Sequence, residues 1–269
     1  MDTALKRPRI LVVANQKGGV GKTTTAINLG TALAAVGAPT LIVDIDPQGN
    51  ASTGLGIPNN ARNVTIYDVL MGGATIADAV TPTKIPGLSI VPSTVDLSGA
   101  ELELIELPRR NFRLKDAFSD FRKNPNQPFS YVLIDCPPSL TLLTVNAMAA
   151  ADAVMVPLQC EFFALEGLSQ LLKTIERVRG NLNPELEIQG IVLTMFDKRN
   201  KLSDQVAADV RSHMGDKVYK TVIPRNVRIS EAPSHGLPAL VYDLRCPGSQ
   251  AYIKLAGEMI QREKLRAAA

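Results

Sequence analysis

The stretch RILVVANQKGGVGKTTTAINLG, residues 9–30, constrains the fold of this chain more than any other. A β-branched run at 9–15 feeds a glycine-rich turn. The turn feeds a helical pattern at 24–36, with Ala26, Leu29, Leu33 and Val36 in helical register before Gly37 and Pro39 end it. Strand, glycine turn and helix in that order make a cradle for phosphate, because glycines let successive N–H groups face anionic oxygens and the helix N-terminus adds partial positive charge. Gly18, Gly19, Val20 and Gly21 form the turn, and Lys22 is set to neutralise β- and γ-phosphates. The Thr23 hydroxyl is set for Mg²⁺, with Thr24 beside it. One departure from the GxxxxGK[ST] spacing stands out: Gln16 occupies the first glycine position, and an extra lysine, Lys17, opens the loop.

Further short apolar runs lie at 40–44, 88–92, 131–135, 153–157 and 190–194. Their nearly continuous apolarity fits parallel strands covered on both faces, and the spacing between them leaves room for crossover helices. The expected class is therefore α/β, a mostly parallel twisted sheet with helices on both faces. Helices are predicted at 24–36, 97–107, 113–121, 142–150, 164–179, 203–214 and 250–266, while 58–86 is the least defined stretch. Without a linker-like tract or internal repeat, one domain is expected over 9–266, with short tails at 1–8 and 267–269.

Composition excludes several classes. With 45% hydrophobic and 20% charged residues the chain has material for a core. The longest uncharged stretch, 136–151, contains Pro137 and Pro138 and reads poorly as a membrane span. The first ten residues lack the apolar region of a secretory signal, so a cytoplasmic location is expected. Cys136, Cys160 and Cys246 form no CxxC pair and read as reduced, unligated thiols.

Two strand ends carry acids. LIVDIDPQGN puts Asp44 and Asp46 where one strand emerges, and YVLIDCPPS puts Asp135 at the end of another. Ligands of open α/β sheets bind beyond the carboxyl ends of strands, so these acids can converge on the phosphates, with Asp135 holding Mg²⁺. For Asp44 a turn or helix-capping role stands equally open. Charge is also concentrated: 198–228 holds eight basic residues (Lys198, Arg199, Lys201, Arg211, Lys217, Lys220, Arg225, Arg228) against Asp204, Asp209 and Asp216, whereas the whole chain has a net charge of only +3. Such a patch suits either phosphate contact or a solvated basic face.

The segments NQKGGVGKTTTAINLGTALA, DIDPQGNASTGLG, LSGAELEL, YVLIDCPPSL, PLQCEFFALEGL and VIPRNVRISEAPSHGLP resemble, in order, the ParA (Soj-like) chromosome and plasmid partition ATPases. The KGGxGKT loop alone is also similar to that of MinD division-site ATPases, the nitrogenase iron protein and cobyrinate amidases. The resemblance implies a weak ATPase using ATP and Mg²⁺. ATP would join two subunits face to face, with Lys17 reaching the partner's nucleotide, Asp46 orienting the attacking water and Asp44 supporting the Mg²⁺ side. It further implies Pro224 and Asn226 against the adenine, and 159–167 near the dimer interface. By the same resemblance the dimer binds double-stranded DNA without sequence preference through Arg199 and Arg228, with Lys198, Lys201 and Arg225 as helpers. A ParB-type partner stimulates hydrolysis, and the protein is nucleoid-associated.

The first strand begins near the chain's start, so no helix-turn-helix extension, and no sequence-specific repression, is expected. Two other readings compete. The amphipathic final helix, with Tyr252, Leu255, Ala256, Met259 and Ile260, can serve a MinD-like membrane-surface ATPase, although core packing is expected of it and no membrane partner is. A nucleotide-binding scaffold that hydrolyses little is the other.

Overall fold

The computed structural model describes residues 7–268. The predicted tails at 1–8 and 267–269 therefore lie partly outside the described residues. Every apolar run named above becomes a strand: β1 (Arg9–Val13), β2 (Thr40–Asp44), β4 (Leu88–Val91), β5 (Tyr131–Asp135), β6 (Ala153–Gln159) and β7 (Glu187–Thr194). A seventh, β3 (Thr81–Pro82), pairs antiparallel with β4 at the sheet edge, where proline's missing donor costs nothing. The order is β3-β4-β2-β5-β1-β6-β7, with the remaining pairs parallel. Parallel pairing brings the carboxyl ends of β4, β2, β5, β1, β6 and β7 to one edge, and the loops that carry the chemistry all leave from there.

The helices are α1 (Lys22–Ala35), α2 (Asn50–Gly54), α3 (Ile66–Met71), α4 (Ile76–Ala79), α5 (Leu97–Glu106), α6 (Arg113–Lys123), α7 (Leu142–Ala150), α8 (Ala164–Asn181), α9 (Lys201–Met214), α10 (Val227–Glu231), α11 (Ala239–Tyr242) and α12 (Pro247–Ala268). Apolar residues of the two sheet faces sort into two cores. One, including Val12, Val43 and Ile134, packs under α3, α5, α6, α7 and α8; the other, including Leu11, Ile42 and Leu133, packs under α1 and α12. The C-terminus of α1 closes with Gly37 N–H donating to the Ala34 carbonyl and Ala38 N–H to that of Leu33, each at 3.0 Å.

Several helix boundaries differ from expectation. Helix α1 starts at Lys22 rather than 24, within the loop itself. Helix α9 starts at Lys201 rather than 203, because the Asn200 side chain caps it by accepting from the Leu202 N–H at 3.0 Å. Helix α12 starts at Pro247, a residue suited to a first turn, and runs to Ala268, past the predicted end at 266. The poorly defined 58–86 stretch holds α3 and α4, each begun by a Thr–Asp capping box, Thr65 with Asp68 and Thr75 with Asp78. In α12, Tyr252, Leu255, Ala256 and Met259 are buried against α1, with Ile260 partly buried, so its apolar face is spent inside the fold. Among the described residues no helix is long and apolar enough to cross a membrane.

Candidate active site

Between β1 and α1 the chain turns through Gly19 (φ 74°) and Gly21 (φ 89°), a left-handed backbone that residues with a Cβ rarely adopt. The turn is braced from three sides. Asn15 Oδ1 accepts from the Lys17 N–H at 3.0 Å, and Asn15 Nδ2 donates to the Pro157 carbonyl at 2.7 Å. Thr194 Oγ1 donates to the Val20 carbonyl at 2.8 Å, and Lys22 Nζ donates to the Lys17 carbonyl at 2.9 Å. Helix α1 opens on Gly21 with no side-chain cap, so its first N–H groups face the loop.

The two loop lysines are placed differently. Lys22 is buried, and that burial lowers its pKa against the pull of Asp135 and Asp46. Lys17 is half-exposed and forms an ion pair with Glu161, which follows β6. Sequence reasoning missed Glu161 as an individual residue. The one signal for it was an acid directly after an apolar strand.

A cavity of about 550 Å³ is lined by Gly18, Gly19, Gly21, Lys22, Thr23 and Thr24 from the loop, and by Asp46, Pro47, Gln48 and Asn50 from the β2–α2 turn. Ser98, Pro138 and Met195 close it. Asp46 accepts from the Gln48 N–H at 2.9 Å through Oδ1, and among the described residues no donor takes its Oδ2. Asp44, fully buried, is engaged through both oxygens: Oδ2 accepts from Ser52 N–H (2.8 Å) and Oγ (2.7 Å), Oδ1 from the Asp46 N–H (3.3 Å). Burial first, and the charge of Asp46 as well, push its carboxyl up to about 6 against those donors.

Asp135 is the contrast. It is fully buried, and among the described residues neither oxygen has a hydrogen-bond partner. Burial, followed by the charge of Asp44, drives it well above the ordinary carboxylate range, with Thr23 and Lys22 pulling the other way. An orphaned buried carboxylate beside a threonine hydroxyl and a phosphate cradle is a donor set that fits Mg²⁺.

Arg62, buried and absent from the sequence reading, ties α2 and the segment that follows it to the loop after β4. It donates to the Ile57 carbonyl (3.1 and 2.8 Å), the Ser93 carbonyl (2.8 Å) and Thr53 Oγ1 (2.8 Å). Nothing in local spacing marks an arginine as buried.

Pro224 and Asn226 do not line the phosphate cavity. They line a second one of about 990 Å³, together with Lys198, Arg199, Arg225 and Lys254. The Pro224 segment is stitched to the end of β7 by Phe196 N–H to the Ile223 carbonyl and Arg225 N–H to that of Phe196, both 3.0 Å. Met195, beside Phe196, lines the phosphate cavity, so the two cavities adjoin along the chain. Arg199, 89% exposed in its side chain, is held by Asp197 at 3.0 and 2.9 Å. Arg228 lies on α10, paired with Glu231 at 2.9 Å and Asp243 at 3.7 Å. Lys198, Lys201 and Arg225 are exposed.

The AAA domain family AAA_31 matches residues 8–188. The chromosome partitioning protein ParA of Caulobacter vibrioides is 67% identical over 260 residues, covering 97% of each chain. The chromosome-partitioning ATPase Soj of Treponema pallidum is 50% identical, covering 96% of this chain and 99% of its own. Among solved structures, cobyrinic acid a,c-diamide synthase of Mycobacterium smegmatis, with bound ATP analog and magnesium, superposes with a TM-score of 0.82 at 36% identity, covering 96% of each chain. This chain belongs to the ParA/Soj family of chromosome-partitioning ATPases.

Proposed function

We propose that this chain is an ATP-operated partition switch, in which ATP joins two copies face to face, the pair binds DNA without sequence preference, and hydrolysis stimulated by a ParB-type partner releases it. The observation that carries this reading is the split between the loop lysines: Lys22 is buried and lines its own cavity, while Lys17, next in the chain to the lining residue Gly18, stands half-exposed outside it. A second ammonium there suits the phosphates of a facing copy, as an arginine finger suits them in other phosphoryl transfers.

In hydrolysis a water oxygen bonds to the γ-phosphorus as the bond to the β–γ bridging oxygen breaks, giving ADP and phosphate. The loop N–H groups of Gly18 to Thr24 and Lys22 hold the phosphate oxygens, and Asp46 orients the water through its open Oδ2. Thr23 and Asp135 would hold Mg²⁺, which when bound neutralises charge on the β- and γ-phosphates. Asp44 acts one step back, fixing the Asp46 backbone and α2. Lys17 from the facing copy stabilises charge on the transferring group. Pro224 and Asn226 receive the adenine, Asn226 Oδ1, buried and without a partner among the described residues, being an acceptor for an amino group. The single domain over 9–266 acts in the cytoplasm, on the nucleoid.

Pairing doubles the exposed cations contributed by Arg199, Arg228, Lys198, Lys201 and Arg225, which supports nucleotide control of DNA affinity. The test is light scattering and DNA retention with ADP, with ATP and with neither, on wild type and Asp46→Ala. Asp46→Ala should stay paired and DNA-bound with ATP while turnover is suppressed. A wild type that remains single with ATP, or that collects on anionic vesicles rather than DNA, rejects the reading.

A further inference from the structure

Helix α5 carries a ridge that the other described residues leave bare. Its inward residues Leu97, Ala100 and Leu104 are fully buried, yet Leu102 is 74% exposed, Ile105 49%, and Val95, just before the helix, 72%. Leu102 and Ile105 are three residues apart and share one outward stripe, which Val95 extends. Single exposed leucines are ordinary, but a contiguous apolar ridge points to a partner.

The rim of the ridge is acidic. Glu101 flanks it on one side, with Oε1 buried and unpartnered among the described residues, and Glu103 and Glu106 flank it on the other. Of the cations that follow α5, Arg109 is turned to Asp116 at 2.9 and 2.8 Å, and Arg110 closes the C-terminal end of the helix by donating to the Ile105 carbonyl at 3.2 Å, which leaves the glutamates to set the charge along the sides. A second copy presenting the same ridge would bring glutamate rims together, whereas a basic amphipathic segment matches both the apolar stripe and its charge.

The ridge also has mechanical purchase on the active site. Ser98, in the first turn of α5, lines the phosphate cavity. Ser93, before the helix, donates its N–H to Ser52 Oγ at 3.1 Å; Ser52 Oγ donates to Asp44 at 2.7 Å, and Asp44 accepts the Asp46 N–H at 3.3 Å. Arg62 fixes the Ser93 carbonyl from the other side at 2.8 Å.

We infer that α5 is the docking ridge for a basic, amphipathic segment of the hydrolysis-stimulating partner, which lays apolar side chains on Val95, Leu102 and Ile105 and sets its cations against Glu101 and Glu106. This rests on the reading that such a partner stimulates hydrolysis. Docking there loads the Ser93–Ser52–Asp44 chain and so adjusts Asp46.

The experiment compares wild type with Leu102→Ser/Ile105→Ser and with Glu101→Lys/Glu106→Lys. It measures ATP turnover with and without the ParB-type protein of the same organism, and the ATP-dependent dimer mass by light scattering. Both variants should keep basal turnover within twofold and dimer mass unchanged, while stimulation falls at least tenfold. Wild-type stimulation should itself weaken as salt rises. Undiminished stimulation in both variants overturns the ridge alone. Loss of ATP-dependent pairing overturns it in favour of a second copy. A wild type that is neither stimulated nor bound by the partner overturns the ridge together with the partner-stimulated reading, leaving ATP-dependent pairing and DNA retention to be judged separately.

Discussion

Asp44 and Asp135 are register partners on the adjacent parallel strands β2 and β5, so two fully buried carboxylates stand side by side at the functional edge of the sheet. One is satisfied by Ser52 and by the Asp46 amide; the other has no hydrogen-bond partner among the described residues. An arrangement that costs stability and persists beside a phosphate cradle fits a site built for a cation.

Asp135→Asn should therefore stabilise the nucleotide-free protein while abolishing hydrolysis. Replacing a buried carboxyl that lacks hydrogen-bond donors, and that Lys22 offsets only in part, is worth about 1–3 kcal/mol, or roughly 2–4 °C in melting temperature for each kcal/mol. Calorimetry without nucleotide or Mg²⁺ checks this. A lowered melting temperature would count against the orphaned carboxylate.

Lys17→Ala should abolish ATP-dependent pairing, read by light scattering. Glu161→Gln should do the reverse, because it frees Lys17 for phosphate. A partly exposed pair is worth about 0–1 kcal/mol, so the gain in pairing affinity should be no more than about fivefold. Normal pairing by Lys17→Ala removes the shared-site picture.

Arg199→Glu should abolish ATP-dependent DNA retention and leave basal hydrolysis largely intact. Asp197 now neutralises Arg199, and the guanidinium in turn holds the Asp197 carboxyl down at about 2. Asp197→Asn should consequently tighten DNA binding and steepen its salt dependence. Anisotropy titrations across a salt series measure both; unchanged salt slopes in both variants sink the assignment.

Glu258 sets a pH dependence of stability. It accepts from the Lys220 and Thr221 N–H groups at 2.8 and 2.9 Å and pairs with Arg262 at 2.8 Å. Burial opposes its ionisation, but these donors prevail and hold it below the ordinary value of 4.5. A depressed acid stabilises the fold at pH above its unfolded value, and that contribution disappears as pH falls through the folded value. Glu258→Gln should cost about 1 kcal/mol at neutral pH and progressively less on acidification below 4.5. Denaturant melts over pH decide it: a cost that stays constant is the contrary result.

Gly49→Ala should lower both stability and turnover. At φ 61° an added Cβ would lie 2.5 Å from Arg62 Nη1 and 3.0 Å from the Ser93 carbonyl. The backbone strain and the displaced guanidinium together should cost about 1–3 kcal/mol. Unchanged melts and rates would show that the turn tolerates the methyl.

Local pattern carried the six parallel strands and the phosphate loop, but neither the edge strand β3 nor the order of the sheet. Buried parallel strands must be apolar on both faces, and a glycine loop between such a strand and a helix has few other uses, so 9–30 and the runs ending in Asp44 and Asp135 were readable from local pattern. Short helices such as α3 and α4 escaped because capping boxes, not apolar periodicity, begin them. Tertiary structure alone decided which charges meet. Whether Asp44 is engaged and Asp135 orphaned depends on Ser52, eight residues after Asp44, coming back over β2. The Lys17–Glu161 pair spans 144 positions, and Arg62 reaches Ser93 across 31. Hydrophobic period is a property of neighbours in the chain, but ionic and hydrogen-bond partners are neighbours in space, fixed only once the parallel strands align their ends.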